Sequence, residues 1–472
     1  MNYEKHPTIE NLLKSLEQDS IERNEYLLRI LRILTNYGGN KFFSLDGDWG
    51  SGKTYFVKQL DLLINYCNSI DKDNTFAFDS PCLVELQKIS NHKQSIEGVL
   101  GLNNLTDFKK IVEDENIYSV YFNAWEHDDE DDPLLSIIFQ IINNYSKIFD
   151  GKDISIETGK AFGKAIKGLL GKVVDVESFI GEDGIVKVND LTEKIKEKKQ
   201  LKESISKIFE SIINENCNKL IIIIDELDRC KPTYAVKLLE RMRHYIIDER
   251  ITILVSTNVK ELQHTISGLY GADFDSVNYL SKFFDVNLCL PNIEVDKYIM
   301  NKILSENEIF DHFVVSFAKY KNLNMREIDR FLTNIQYFEP SIYMTDTWGG
   351  ELLRAVKKIM IPYAVGLFST QQASYWEFIE GNGFKKFEQF LKTVDWSQKM
   401  LDRLTGNRST NTVNVKEDII LDLEKAYNIL VVKKGNASNA TDREFLNESG
   451  LDNSSFFNMV TLLGDLAVLE KK

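Results

Sequence analysis

The chain has 472 residues, a formal net charge of −15, 43% hydrophobic residues and 27% charged residues. This length exceeds one small domain, and the composition is that of a folded globular protein. The acidic balance argues against binding to nucleic acid or to an anionic membrane through the overall field of the molecule.

Cysteine usage and the length of the apolar runs indicate the cellular compartment of the protein. The N-terminus lacks an apolar signal region, and the longest apolar runs, residues 220–224 and 359–368, fall short of the ~20 residues that cross a bilayer. We therefore expect a cytoplasmic protein with no membrane span, no disulfide and no zinc site. The five cysteines are scattered without metal-ligand spacing: Cys67, Cys82, Cys217, Cys230 and Cys289.

Residues 1–38 read as a helical lead-in. Asp19 and Glu22 have the spacing of a capping box, and leucines and isoleucines then recur at helical intervals. The pattern favours a helix that packs on the core. The alternative, in which residues 7–9 and this helix form a wall for a nucleotide base, stays open.

A phosphate-binding loop follows a predicted strand at residues 41–45. The pattern G-x-x-x-x-G-K-[ST] is matched without departure, and residues 55–64 have helical spacing after it. Such a loop points several backbone N–H groups at one anion, Lys53 reaches the β- and γ-phosphates, and Thr54 binds Mg²⁺. The candidate nucleotide-binding residues are Gly47, Asp48, Trp49, Gly50, Ser51, Gly52, Lys53, Thr54 and Tyr55.

The next stretch alternates insertions with elements of an α/β core. Residues 68–117 read as an irregular insert, and residues 118–122 as a strand that ends in polar side chains. The acidic run from Asp128 to Asp132 is interpreted as a solvated loop and not a metal site. An amphipathic helix is predicted at 134–147. A second insertion spans about 150–216 and contains a charged helix at 191–216.

The second catalytic candidate is a pair of carboxylates. Residues 219–224 form an apolar run with four isoleucines, which predicts a strand buried on both faces of a parallel sheet. Asp225 and Glu226 follow at its carboxyl end, where burial of charge is unfavourable unless it serves a purpose. We expect Asp225 to hold Mg²⁺ together with Thr54, and Glu226 to polarise the attacking water.

The rest of the chain completes the core and turns helical. Pro232 suits the start of a helix, and residues 251–256 predict a strand that leads to Asn258, which either orients the lytic water or caps the next helix. Residues 291–340 are predicted to be a helical lid and residues 341–472 a helical domain of unknown role. Arg326 and Arg330, a turn apart, are candidates for the γ-phosphate or for surface ion pairs, and Arg229 is a third candidate.

Taken together, these motifs resemble the KAP family of P-loop NTPases. The resemblance covers about residues 5–340 and includes the phosphate loop, with its Trp-Gly-Ser-Gly-Lys core. It continues in Phe-Asn-Ala-Trp at residues 122–125, in residues 225–232, in residues 279–284 with Leu290-Pro291, and in residues 326–332.

The resemblance implies an ATPase with a five-stranded α/β core, spanning residues 39–290 here, and an α-helical lid. It places the family's acid pair on Asp225 and Glu226 and marks Asp228-Arg229 as a family feature without an assigned role. Many members carry transmembrane helices between the two nucleotide motifs, but charged residues interrupt residues 155–190 in this chain. Bacterial members often belong to anti-phage systems.

The predicted fold class is therefore α/β. It is a P-loop NTPase core with a parallel sheet, of the ASCE type that has an additional strand and a catalytic glutamate. A helical lid and a mostly α-helical C-terminal domain follow. The leading functional hypothesis is an Mg²⁺-dependent ATPase that acts as a conformational switch with other proteins of its system, and with possible self-association. A nucleotide-gated scaffold with negligible hydrolysis and a DNA-associated ATPase are the alternatives, of which the second is not favoured by the charge.

Overall fold

The computed structural model describes residues 6–19, 22–69, 81–89, 92–101, 105–144, 217–302, 308–343, 355–404, 415–432 and 439–448, with scattered positions between 202 and 213. The chain divides into two compact units, His6–Asn292 and Ile293–Lys472. The sequence-predicted boundaries of the lid and the C-terminal domain stay predictions.

The first unit is built on a five-stranded sheet in which every pair of neighbouring strands is parallel. The order of strands across the sheet is β2-β3-β4-β1-β5. The strands are β1 (Lys41–Asp46), β2 (Ile117–Asn123), β3 (Lys219–Asp225), β4 (Ile251–Thr257) and β5 (Val286–Cys289).

The strand order places β4 between the strand that precedes the phosphate loop and the strand that carries the acid pair. Register aligns the carboxyl ends: Asp46 lies opposite Thr257, and Asp225 lies opposite Ser256 and Asn123. This is the predicted α/β fold, with an additional strand between the two motifs. The motifs are thereby brought to one edge of the sheet, where open α/β sheets bind ligands.

Helices cover the sheet because its strands are apolar on both faces. The four isoleucines of β3, Ile221 to Ile224, are fully buried, as expected for an inner strand. The helices of the first unit are α1 (Ile9–Gln18), α2 (Asn24–Asn36), α3 (Lys53–Ser69), α4 (Pro81–Leu86), α5 (His92–Gly101), α6 (Leu105–Glu115), α7 (Pro133–Asn144), α8 (Pro232–Tyr245), α9 (Val259–Tyr270) and α10 (Ser276–Ser281).

Two local expectations were wrong. Where the structure describes the stretch predicted as an irregular insert, it is helical (α4, α5 and α6). Leu105, Phe108 and Val112 of α6 are buried at helical spacing, a period that the prediction overlooked. The lead-in is two helices, and the Asp19 carboxylate accepts hydrogen bonds from the Arg23 and Asn24 amides at 3.0 and 3.2 Å, so the second helix begins later than the proposed capping box.

Other expectations lie wholly or mostly outside the described residues. The interrupted apolar stretch at 155–190 is one of them, and most of the predicted helix at 191–216 is another. At the described positions of that helix, Ile205, Phe209 and Ile213 are buried.

In the described part of the second unit, every regular element is a helix. Its interior is aromatic: the Tyr363 ring stacks on Phe390 with centroids 5.3 Å apart and meets Phe317 edge-on at 5.6 Å. Its helices are α11 (Val295–Met300), α12 (Glu308–Tyr320), α13 (Met325–Tyr343), α14 (Ile361–Thr370), α15 (Gln372–Ile379), α16 (Phe384–Thr393), α17 (Gln398–Leu404), α18 (Val415–Tyr427) and α19 (Ala440–Glu448), with π-helical turns at Val356–Met360 and Asn428–Val432.

Membrane spans were not expected from the sequence. Within the described ranges, no helix combines the length and the apolar character that crossing a bilayer requires.

Candidate functional site

The phosphate loop has a backbone that requires glycine. Gly50 and Gly52 adopt φ angles of 78° and 86°, in the left-handed region that other residues rarely occupy. A Cβ atom on Gly47 would lie 2.8 Å from the Ser51 Oγ atom, which is closer than packing allows. The loop leads directly into α3, whose first residue is Lys53. Free N–H groups at this helix start can therefore face an anion.

Lys53 folds back over the loop. Its ammonium group donates hydrogen bonds to the carbonyl oxygens of Gly47 and of Asp48, the second at 3.1 Å. Burial lowers the pKa of Lys53, and Asp228 contributes the strongest of the negative charges that oppose this shift. A half-buried ammonium on loop carbonyls is placed to exchange these partners for phosphate oxygens.

Asp225 is buried at the end of β3, with 1% of its surface exposed. The Tyr121 hydroxyl, from the neighbouring strand β2, donates a 3.1 Å hydrogen bond to its Oδ2 atom. Burial raises the pKa of Asp225, because little solvent remains to stabilise the charge. Burial and the nearby Asp225 also raise the pKa of Tyr121. Such a carboxyl is suited to a cation.

Glu226 occupies a left-handed backbone conformation, with φ 61° and ψ 28°, which is uncommon for a residue other than glycine. The Thr54 hydroxyl donates a 2.9 Å hydrogen bond to its Oε1 atom. The Arg229 guanidinium forms an ion pair with its Oε2 atom. Burial, and next the charge of Asp225, raise the pKa of Glu226, while Arg229 opposes them. Both carboxylate oxygens are thus engaged.

Asp228 connects the two nucleotide motifs. It follows Glu226 in the short 3₁₀ turn Leu227–Arg229 and is 7% exposed. Its Oδ2 atom accepts a 2.5 Å hydrogen bond from the Trp49 indole of the phosphate loop, and its Oδ1 atom accepts a 3.0 Å bond from the Thr257 hydroxyl at the end of β4. The sequence identified Asp228 as a family feature but could not assign this role.

Asn258 caps α9. Its side-chain oxygen accepts a 3.2 Å hydrogen bond from the Glu261 amide, so the capping alternative is observed. A catalytic role for its side-chain NH₂ group stays a prediction. Arg326 and Arg330 lie on α13 of the second unit, and both are exposed. Their action on a γ-phosphate likewise stays a prediction.

The wall proposed for the base begins next to the phosphate loop helix. The Tyr55 hydroxyl donates a 2.8 Å hydrogen bond to the His6 carbonyl oxygen, and Thr8 caps α1 immediately afterwards. The residues before α1 and the start of α3 are therefore adjacent, and the idea that they contact a base stays a prediction.

Arg23 supports the phosphate loop, and no pattern in the sequence predicted this role. The Arg23 residue is 2% exposed. Its guanidinium donates hydrogen bonds of 2.8 Å to the Ser51 carbonyl and 2.6 Å to the Pro291 carbonyl. Both partners are backbone atoms far away along the chain. Only the folded backbone brings them together, so no local pattern of side chains could reveal the contact.

The acidic run is more structured than the solvated loop that was expected. The Asp128 carboxylate accepts a 3.1 Å hydrogen bond from the Lys231 amide, and Asp132 forms a 3.2 Å ion pair with Arg241. Asp132 is 5% exposed. The run therefore holds the turn after β2 against the start of α8. Within the described part of the chain, no group of three or more His, Cys, Asp or Glu side chains is arranged to hold a metal ion.

Comparison with known proteins agrees with these motifs. A family model described as the KAP family P-loop domain matches residues 23–342. No curated protein matches the chain. Among solved structures, the Aeropyrum pernix ORC2 protein, in ADPNP–ADP complexes, is similar at 12% sequence identity over 90% of this chain and 84% of that chain, with a TM-score of 0.32.

Proposed function

Because this chain belongs to the KAP family of P-loop NTPases, we propose that it is an Mg²⁺-dependent ATPase that uses ATP binding and hydrolysis as a conformational switch. One contact carries the proposal, the 2.9 Å hydrogen bond from Thr54 to Glu226. It joins the proposed Mg²⁺ ligand to the proposed base. Thr54 would hold Mg²⁺ through its hydroxyl oxygen, directly beside the carboxylate of the proposed base.

The residues present fit a nucleotide with Mg²⁺. The loop offers backbone N–H groups, and Lys53 offers a half-buried ammonium on carbonyl oxygens that a phosphate can replace. Asp225 offers a buried carboxyl whose pKa is raised in the absence of a cation. When bound, Mg²⁺ supplies positive charge that stabilises the negative charge developing on the phosphates.

Each residue of the site has a distinct role in this proposal. Lys53 binds the β- and γ-phosphates, and Thr54 and Asp225 hold Mg²⁺. Tyr121 orients Asp225 through its hydrogen bond. Glu226 orients the attacking water and accepts its proton.

The ion pair between Arg229 and Glu226 bears on the rate of hydrolysis. While it is closed, the guanidinium neutralises the base, so we expect slow basal turnover that rises when the pair opens. Action of Arg229, Arg326 or Arg330 on the γ-phosphate is a further proposal, and for Arg229 it requires the same opening.

The second candidate function is a nucleotide-gated scaffold with negligible hydrolysis. The same observation favours it, because a base held on both oxygens suits ATP binding without turnover. In either case we propose that residues 291–340 and 341–472 respond to the nucleotide and contact other proteins or a second copy. Membership of an anti-phage assembly is the biological context that the family suggests.

The test is phosphate release from MgATP by the purified full chain, measured beside binding of a fluorescent ATP analogue. We expect Glu226→Gln to bind the nucleotide and to lower phosphate release by about a hundredfold or more, because it removes the base and preserves the shape. Lys53→Ala is expected to lower nucleotide binding in addition to phosphate release.

Glu126→Gln is the matched control for this experiment. Glu126 lies at the same edge of the sheet, where it accepts a 2.6 Å hydrogen bond from Asn123. This variant should release phosphate like the wild type. Equal rates for wild type and Glu226→Gln would refute the assigned base. ATP binding without phosphate release, together with ATP-dependent association in light scattering, would select the scaffold.

A further inference from the structure

We propose that Asp228 is a positioning residue that anchors the phosphate loop, through the Trp49 indole, to the strand edge that carries the catalytic carboxylates. This inference rests on the proposed nucleotide site and assigns a role to a residue that does not itself touch the phosphates. It also assigns a role to Trp49, whose ring is otherwise 46% exposed.

The geometry around Asp228 is that of a built contact. Its carboxylate is 7% exposed, and a buried carboxylate is stable only when its oxygens accept hydrogen bonds. One oxygen accepts from the Trp49 Nε1 atom at 2.5 Å, and the other accepts from the Thr257 hydroxyl at 3.0 Å. These two donors come from the phosphate loop and from the end of β4. Asp228 therefore bridges three chain segments that are distant in sequence.

The backbone directs Asp228 to this position. Glu226 turns the chain in its left-handed conformation, and the Arg229 amide then donates a 3.2 Å hydrogen bond to the Glu226 carbonyl. This tight turn fixes Asp228 relative to Asp225 and Glu226. A carboxylate fixed in this way transmits the position of the acid pair to Trp49, and so to the loop that binds phosphate.

The anchor bears on how bound phosphates are aligned. Loss of the anchor would leave the loop free to move relative to the acid pair. Phosphates held by the loop would then lose their alignment with Glu226, and misalignment of this kind lowers the rate of the chemical step.

The first experiment is a double-mutant cycle on the full chain with Trp49→Phe and Asp228→Ala, read as affinity for a fluorescent ATP analogue with Mg²⁺. We expect each single substitution to weaken binding by roughly tenfold, the low end for a hydrogen bond to a charged group. If the indole acts through the carboxylate, the double variant should bind no more weakly than Asp228→Ala alone. Independent, multiplicative losses would refute the link.

Two further variants separate positioning from general loss of structure. Asp228→Asn can still accept from the indole while its NH₂ group donates to Thr257, so we expect binding within about threefold of wild type. Thr257→Val removes the other bond only, so it should weaken binding less than Asp228→Ala, which removes both bonds. An Asp228→Asn variant as weak as Asp228→Ala would show that the charge and not the anchor matters, against the proposal.

Tryptophan emission keeps this test apart from the proposed function. Asp228→Ala should change the emission of the wild-type background and leave the emission of the Trp49→Phe background unchanged, with no nucleotide present. If the wild type fails to bind ATP, the proposed function is wrong and this optical comparison still decides the anchor. An equal change in both backgrounds would overturn it.

Discussion

At the scale of single residues, Asp61 shows how strongly burial acts on one carboxyl. It lies on α3, and its Oδ1 atom accepts hydrogen bonds from the Ser119 hydroxyl at 2.7 Å and the Asn65 amide at 3.0 Å. Burial raises the pKa of Asp61 to about 6, while Ser119, Cys82 of α4, Asn65 and the charge of Lys58 act in the opposite direction. Asp61 has no role in the proposed mechanism. We therefore expect its titration to change the free energy of unfolding.

The sign of this effect follows from linkage. The folded protein holds the Asp61 proton more tightly than the unfolded chain, whose aspartates titrate near pH 3.9. The free energy of unfolding therefore falls as the pH rises between about 4 and about 6, and the stabilisation is complete only at lower pH. We expect Asp61→Asn to remove this dependence.

The measurement is urea unfolding of wild type and Asp61→Asn at pH about 4.5 and about 7.5. The stability of the variant relative to wild type should increase by about 2 kcal/mol between these pH values, from the shift in pKa. Asp114→Asn, at an exposed position of α6, is the matched control and should show no such trend. A pH-independent difference for Asp61→Asn would contradict the prediction.

The residues of the candidate site at the carboxyl edge of the sheet could be predicted only where a sequence motif specifies them. Thr54, Asp225 and Glu226 were expected together from the two motifs, and the structure places Thr54 against Glu226. The partners of Asp228 could not be predicted, because Trp49 lies 179 positions away and one carboxylate has many possible donors. No role could be assigned from the sequence to the exposed arginines of α13, because a helical pattern does not predict which groups an exposed side chain contacts.

At the scale of elements, α2 belongs to the core and not to a separate lead-in. Leu27, Ile30, Leu31 and Leu34 are fully buried, and the Leu34 carbonyl accepts a hydrogen bond at 3.5 Å from Thr252 of β4. The helical period of these residues predicted the burial. Strands β1 to β4 were also predicted, β3 and β4 from apolar runs that have few other solutions. The short edge strand β5 was not predicted, because its residues alternate between half-buried and exposed.

We expect Leu31→Ala to lower the free energy of unfolding by about 2 to 5 kcal/mol, since it removes a fully buried side chain and leaves a cavity. The measurement is the urea midpoint followed by tryptophan fluorescence. Glu25→Ala, on the same helix in an exposed ion pair with Arg29, should change stability by less than about 0.5 kcal/mol. Equal midpoints for the two variants would mean that α2 packs loosely.

At the scale of the whole molecule, charge decides between partners. The net charge of −15 gives a repulsive field for any polyphosphate that approaches without a local basic site. The exposed Asp129 and Asp131, in the turn after β2 at the carboxyl edge of the sheet, add to this field. Under the proposed function, a specific loop with its own lysine admits ATP, and a DNA duplex cannot use that loop.

We therefore expect duplex DNA neither to bind the full chain at physiological salt nor to accelerate phosphate release. Fluorescence anisotropy of a labelled duplex across a salt series, beside the phosphate assay, measures both. The stretch at residues 194–202 is rich in lysine and so is a local source of positive charge. A variant with Lys198→Glu and Lys199→Glu is thus the informative companion. Binding that falls steeply with salt and disappears in this variant would contradict the prediction, because binding through phosphates releases counterions in proportion to the lysines engaged.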